Sequence, residues 1–296
     1  MSDQHSQWVS LGSGDLTAKI NPLGAQLSAL RDRSGRDLLW DGDPSVWTGR
    51  APLLFPIVGM LVGGCYRLGS RVYQLPRHGF ARGKLFEVTQ ATAAAATFRL
   101  SADEATFQVY PFHFELEVRF ALDGPTLSVT TYIRNVGDEA MPASFGYHPA
   151  FRWPLPYGRE RSSHFIEFAC DEPAPIRRLS ADGLLTMERH PTPLSDRRLA
   201  LADALFRDDA VIFDEIRSNS VTYGADGGPR LRIDYPDTPY LGVWTKPAAN
   251  FICIEPWHGV SDPEGFSGDF TAKTGVFTVA PGACMPIKVA ITLQQA

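Results

Sequence analysis

The sequence lacks any apolar run approaching the roughly 20 residues that a membrane-crossing helix needs, so no membrane span is expected. A concentrated basic face is missing too. Lysine and arginine are scattered and the formal net charge is −5, which argues against a nucleic-acid partner. The chain opens MSDQHSQWVS, without a basic start leading into an apolar core, so no signal peptide is expected. The four cysteines, Cys65, Cys170, Cys253 and Cys284, are far apart and form no CxxC pair. Structural zinc is therefore not expected, and so few cysteines without a signal fit a reducing cytoplasm. No HxH or HExxH spacing occurs. No segment keeps a helical period beyond two or three turns, Leu199–Arg207 being the best short candidate. The alanine run at 92–96 favours neither helix nor strand. No internal repeat or linker shows, because the 26 glycines and 23 prolines are spread along the chain. A single domain of 296 residues, long enough for a sizeable core, is expected.

What the sequence does have is a period of two. In FHFELEVRFAL the residues Phe112, Phe114, Leu116, Val118, Phe120 and Leu122 alternate with His113, Glu115, Glu117 and Arg119, which reads as a half-buried strand. A Gly-Pro loop follows, and then Leu127, Val129, Thr131 and Ile133 share one face of TLSVTTYIRN, so the pair reads as an antiparallel hairpin. PIKVAITLQ near the end alternates in the same way, as do Leu16–Ile20, Phe165–Phe168 and Leu231–Tyr235. With turn signals such as NPLG, DGDP and GADGGP between them, these runs predict an all-β sandwich of many antiparallel strands.

Three patches break the alternation. In PRHGFARG (76–83), His78, Phe80 and Arg82 share one face if the segment is extended; the plainer reading is a surface turn. In SFGYHPAF (144–151), Pro149 pushes His148 towards extended geometry amid aromatic neighbours; the plainer reading is a core histidine bonded to backbone. In FICIEPWHGV (251–260), an apolar run suited to a strand buried on both faces ends in Glu255. Burial there raises a glutamate's pKa and suits it as a base near neutrality; the plainer reading is a salt-bridged strand end. Together, one glutamate, two histidines, an arginine and several aromatics suit an acid–base sugar site, since aromatic faces pack on a pyranose and charged groups bind its hydroxyls.

PLLFPIVG (52–59), RHGFAR (77–82), GYHPAF (146–151), LFRDDAVIF (205–213) and CIEPWHGVSD (253–262), in that order, resemble the aldose 1-epimerase (galactose mutarotase) family and its LacX-like bacterial branch; GAQLSAL (24–30) and DLLW (37–40) fit as well. The resemblance implies a galactose mutarotase-like β-supersandwich and interconversion of the α and β anomers of an aldose, with no cofactor and no metal. It implies Glu255 as catalytic base, His148 as catalytic acid, and His78 binding substrate near the ring oxygen. Asp209, with Asp208 as the alternative, matches the acid that binds sugar hydroxyls, and Arg82 lines the pocket. Relatives usually continue FPIVG with an arginine that holds a hydroxyl. Here the residue is Met60, whose thioether donates no hydrogen bond, leaving Arg67, Arg71, Arg77 or Arg82 to compensate.

The expected partner is a small-molecule sugar, and the expected assembly a monomer or homodimer. Attraction between a glutamate and a nearby histidinium favours both charged states, so a bell-shaped pH profile of the coupled pair is expected. His258 reads as a loop histidine and Trp257 as a packing residue. Rival readings are a non-catalytic carbohydrate-binding sandwich, a metal enzyme using His78, His148, His258 and Glu255, and a glycoside hydrolase pairing Asp209 with Glu255.

Overall fold

The hairpin forms as the alternation predicts. The computed structural model, which describes residues 7–236 and 238–296, places strands at Phe114–Asp123 and Thr126–Asn135, paired antiparallel across Gly124-Pro125. Leu116, Val118, Phe120 and Leu122 are buried, Glu115 and Glu117 are half-buried and Arg119 is exposed, as in an antiparallel sheet with one wet face. Phe112 lies ahead of the strand and packs on Tyr110 instead. The strand Cys284–Gln294 pairs along the other edge of Thr126–Asn135.

These three strands are the middle of a nine-stranded antiparallel sheet. On one side follow Ala95–Ser101 and Glu87–Ala91; on the other follow Arg230–Asp234, Ser220–Gly224, Phe165–Phe168 and Arg198–Ala200. A six-stranded sheet runs Val211–Phe213, Tyr240–Trp244, Phe251–His258, Phe145–Tyr147 and Leu53–Leu54, with Ala150–Arg152 also pairing with Phe251–His258. One core cluster joins the two sheets, holding Val118, Phe120 and Val129 together with Leu241, Val243, Ile252 and Ile254. A hydrogen bond of 2.6 Å between the Thr131 and Tyr147 hydroxyls ties them across the core. The protein is thus an all-β sandwich, as expected.

The helical expectation is corrected. Leu199–Arg207 is the strand Arg198–Ala200 followed by a 3₁₀ turn at Asp203–Phe206. Leu199 and Leu201 are buried and Ala200 between them is exposed, the spacing of a strand end and not of a helix. Among the described residues the α-helix is Glu104–Val109, opened by a capping box in which Asp103 accepts from the Thr106 N–H and Thr106 from the Asp103 N–H. The alanine run becomes a turn leading into Ala95–Ser101. All four cysteines are free. No helix among the described residues is long and apolar enough to cross a membrane.

Candidate active site

All eight residues of Phe251–His258 are buried, and the two faces of the strand have different neighbours. Ile252 and Ile254 enter the core between the sheets. Phe251 and Cys253 pack outward with Trp40, Trp47 and Trp244, and Trp257 with Leu54, Val58 and Ile212. Glu255 shares this outward face, because alternate residues of a strand point the same way. Gly242 and Gly146 make room beside it: a Cβ on either would come within 2.4 Å and 2.6 Å of the Trp257 ring. Trp257 therefore packs, as expected, and lines the site as well.

The outward face floors a cleft of about 180 Å³ that brings together Glu255, His148, His78, Arg82 and Asp209. That is below the roughly 300–1,000 Å³ of pockets for drug-sized ligands and suits a monosaccharide. Asp209, not Asp208, lines it, at the turn into Val211–Phe213, with Oδ1 accepting the Ala210 N–H at 2.7 Å. Trp47 and Trp244 wall it, their rings 5.2 and 5.9 Å from that of His148; as isolated tryptophans they carry no signal of this in the sequence. His258 packs against Phe277 instead, so the metal set built on four residues including His258 is not assembled. A larger depression of about 630 Å³, around Phe107, His113 and Asp269, holds none of the five expected site residues.

His148 lies between Phe145–Tyr147 and Ala150–Arg152, which both pair with Phe251–His258. This sets its Nε2 at 3.3 Å from Glu255 Oε2. Burial, opposed by the charge of Arg77, raises the Glu255 pKa well above the ordinary 4.5. Burial also drives His148 down to about 3, with the Arg77 and Arg82 charges adding to it. The expected mutual stabilisation of two charges is thus opposed: desolvation outweighs attraction, and burial favours the protonated carboxyl and the neutral imidazole. Neither Glu255 Oε2 nor His148 Nδ1 has a hydrogen-bond partner among the described residues.

The segment of His78 is not extended, which corrects the shared-face expectation. His78 has φ 67° and Gly79 φ 71°, and Ala81–Gly83 is a 3₁₀ turn. Phe80 turns to the core while His78 and Arg82 still reach the cleft. A Cβ on Gly79 would lie 2.2 Å from the Phe55 carbonyl oxygen, so the turn needs glycine there. The left-handed His78 is clasped to the FPIVG loop: its N–H donates to the Gly59 carbonyl at 2.9 Å, and its Nδ1 accepts the Gly59 N–H at 3.1 Å. The acceptor role of Nδ1 leaves the ring proton on Nε2. Burial lowers the His78 pKa well below 6.5, with His148, Arg77 and Arg82 contributing.

Of the four arginines considered as replacements for the one lost at Met60, Arg77 and Arg82 line the cleft, while Arg67 and Arg71 border other depressions. Arg82 donates to the Arg77 carbonyl at 2.8 Å. The Arg77 guanidinium makes no hydrogen bond or ion pair with a described residue. A Cβ on Gly183 would sit 3.1 Å from Met60 Cγ and 3.6 Å from Arg77 Cζ, which puts this free cation beside the methionine.

The architecture recurs in solved structures. A galactose mutarotase related enzyme from Lactobacillus acidophilus superposes with a TM-score of 0.90 at 30% identity, covering 98% of each chain. A galactose mutarotase-like protein from Lactobacillus casei does so at 0.90 and 27% identity, covering 97% of this chain and 100% of its own. Protein LacX of Lactococcus lactis is 34% identical over 263 residues, 86% of this chain and 88% of LacX. The fold is thus the galactose mutarotase-like β-supersandwich. With the aldose 1-epimerase family model matching residues 7–278, the chain belongs to the aldose 1-epimerase family.

Proposed function

We propose that the cleft interconverts the α and β anomers of an aldose by opening and reclosing its ring, without a cofactor. The observation that carries this reading is the 3.3 Å approach of His148 Nε2 to Glu255 Oε2 on the floor of a monosaccharide-sized cleft. Opening takes a proton from O1 and gives one to the ring oxygen. Glu255 as carboxylate accepts the first and His148 as imidazolium donates the second, each contributing roughly 10²–10⁴-fold. His78 offers its Nε2–H to the ring oxygen. Arg77, Arg82 and Asp209 bind hydroxyls, and Trp47 and Trp244 supply apolar ring faces. Arg77 takes the place of the arginine lost at Met60.

The proton count explains the buried pair. Opening converts carboxylate and imidazolium into carboxyl and imidazole. Burial favours this second form, the protonation state of the open-chain complex. Closing the ring on either face returns both protons, and the pair as a whole neither gains nor loses one.

Exchange NMR between the anomers of galactose, glucose and their 6-phosphates tests the reading. No acceleration of any of them by folded protein would sink it. A non-catalytic sugar-binding sandwich is the second reading, favoured by the burial that disfavours the charged form of both groups. Glu255→Gln separates the two: an epimerase keeps sugar binding and loses its rate, whereas a binding module has no rate to lose.

A further inference from the structure

The mechanism leaves one buried nucleophile beside the site without a task. Cys253 is fully buried and precedes Glu255 by two positions on the same face of the strand. Its strand partner is Ala150, just past His148. Cys253 Sγ, a ring nitrogen of His148 and a carboxylate oxygen of Glu255 all lie within 4.8 Å of one another. Glu255 Oε2 and His148 Nδ1 are without hydrogen-bond partners, and the thiol makes no hydrogen bond with a described residue. Three buried donors of three chemical types therefore converge, largely unsatisfied: His148 and Glu255 line the cleft, and Cys253 lies behind them among Trp40, Trp47 and Trp244.

We infer that Cys253, His148 and Glu255 form a binding site for one divalent cation of the zinc class, occupied in competition with the sugar. A thiolate with an imidazole and a carboxylate suits Zn²⁺ or Co²⁺ and not Mg²⁺ or Ca²⁺, which prefer all-oxygen sets. Zinc bonds of about 2.0–2.3 Å set tetrahedral donors roughly 3.3–3.8 Å apart, so the trio needs only a small closure. Binding releases the thiol and carboxyl protons to solvent, and the dication then balances the two anions left behind, which are costly to bury alone. A bound cation engages both the acid and the base and so silences anomerisation. That consequence rests on the proposed function; the binding itself does not.

Titration of the metal-stripped chain with Co²⁺ tests this by absorption. The expected result is a thiolate-to-cobalt charge-transfer band in the near ultraviolet, with the visible bands of tetrahedral cobalt, both removed by Zn²⁺. Cys253→Ser is expected to lose the charge-transfer band and to weaken Co²⁺ binding by more than about tenfold, while keeping metal-free anomerisation. Zn²⁺ is expected to inhibit the wild type in competition with the sugar and to spare the variant. A wild-type spectrum without charge transfer overturns the inference, and so does equal Zn²⁺ inhibition of Cys253→Ser. If that variant fails to fold, the wild-type spectrum decides. A cobalt–thiolate band in a protein that anomerises no aldose leaves the metal site standing and removes the epimerase.

Discussion

Asp262 with Lys273 and Glu255 with His148 are both buried acid–base pairs, and they are built differently. Asp262 and Lys273 have side chains 3% and 1% exposed. Lys273 Nζ donates to Asp262 Oδ1 at 2.7 Å and to the Val260 carbonyl at 2.6 Å, and Asp262 Oδ2 accepts the Val62 N–H at 2.9 Å. Glu255 and His148 are buried too, but both keep an unpartnered polar atom. Burial is thus common to both, and hydrogen-bond satisfaction separates the structural clasp from the candidate site. The clasp serves the site. Asp262 and Ser261 hold Met60 through its carbonyl and N–H, and the preceding Gly59 holds His78.

Three substitutions, read in four ways, break or sharpen that contrast. The largest effect is on rate: Glu255→Gln is expected to lose about 10²–10⁴-fold in anomerisation, read by exchange NMR, with the fold intact by circular dichroism. Lys273→Met comes next, because it strands Asp262 in the core; a loss of about 3–5 kcal/mol in denaturant unfolding is expected. A neutral outcome there would erase the distinction between the pairs. Third, Glu255→Gln is expected to stabilise the protein by roughly 0.5–2 kcal/mol at alkaline pH, since it removes an acid that is costly to ionise where it lies.

The smallest effect concerns pH. The pKa of Glu255 is raised from 4.5, so its contribution to stability is full below that value and is lost as pH rises through the folded one. His148 is lowered from 6.5 to about 3, so its contribution is full above 6.5 and fades as pH falls towards 3. The pair holds one proton between its two folded values, which gives a bell-shaped rate profile. Arg77→Met removes a charge that lowers both groups, and each limb of the bell is expected to move up by as much as about one pH unit. Limbs that stay in place would show that Arg77 does not act on the pair.

Much of this was legible from the sequence. The hairpin register follows from a two-residue period, which is a local property. Glu255, His148, His78, Asp209 and Arg82 were each legible through short motifs, and all five line one cleft. The helix at Glu104–Val109 was overlooked although its Asp103 and Thr106 spell a cap. The turn at His78 was misjudged because its left-handed backbone is held by Gly59 and Phe55, which are remote in sequence. Cys253 read as one more apolar residue in a buried run, and only its pairing opposite Ala150 sets it beside His148.

The sequence by itself determined the strands, their inward faces and the chemical types available to the site, because alternation and motif are carried by neighbouring residues. Tertiary structure alone decided which of those groups meet and which way their pKa values move. The 3.3 Å between His148 and Glu255 depends on two strands flanking a third. The shift of that pair towards its neutral forms depends on tryptophans and backbone brought from distant segments, because desolvation is a property of everything that surrounds a charge.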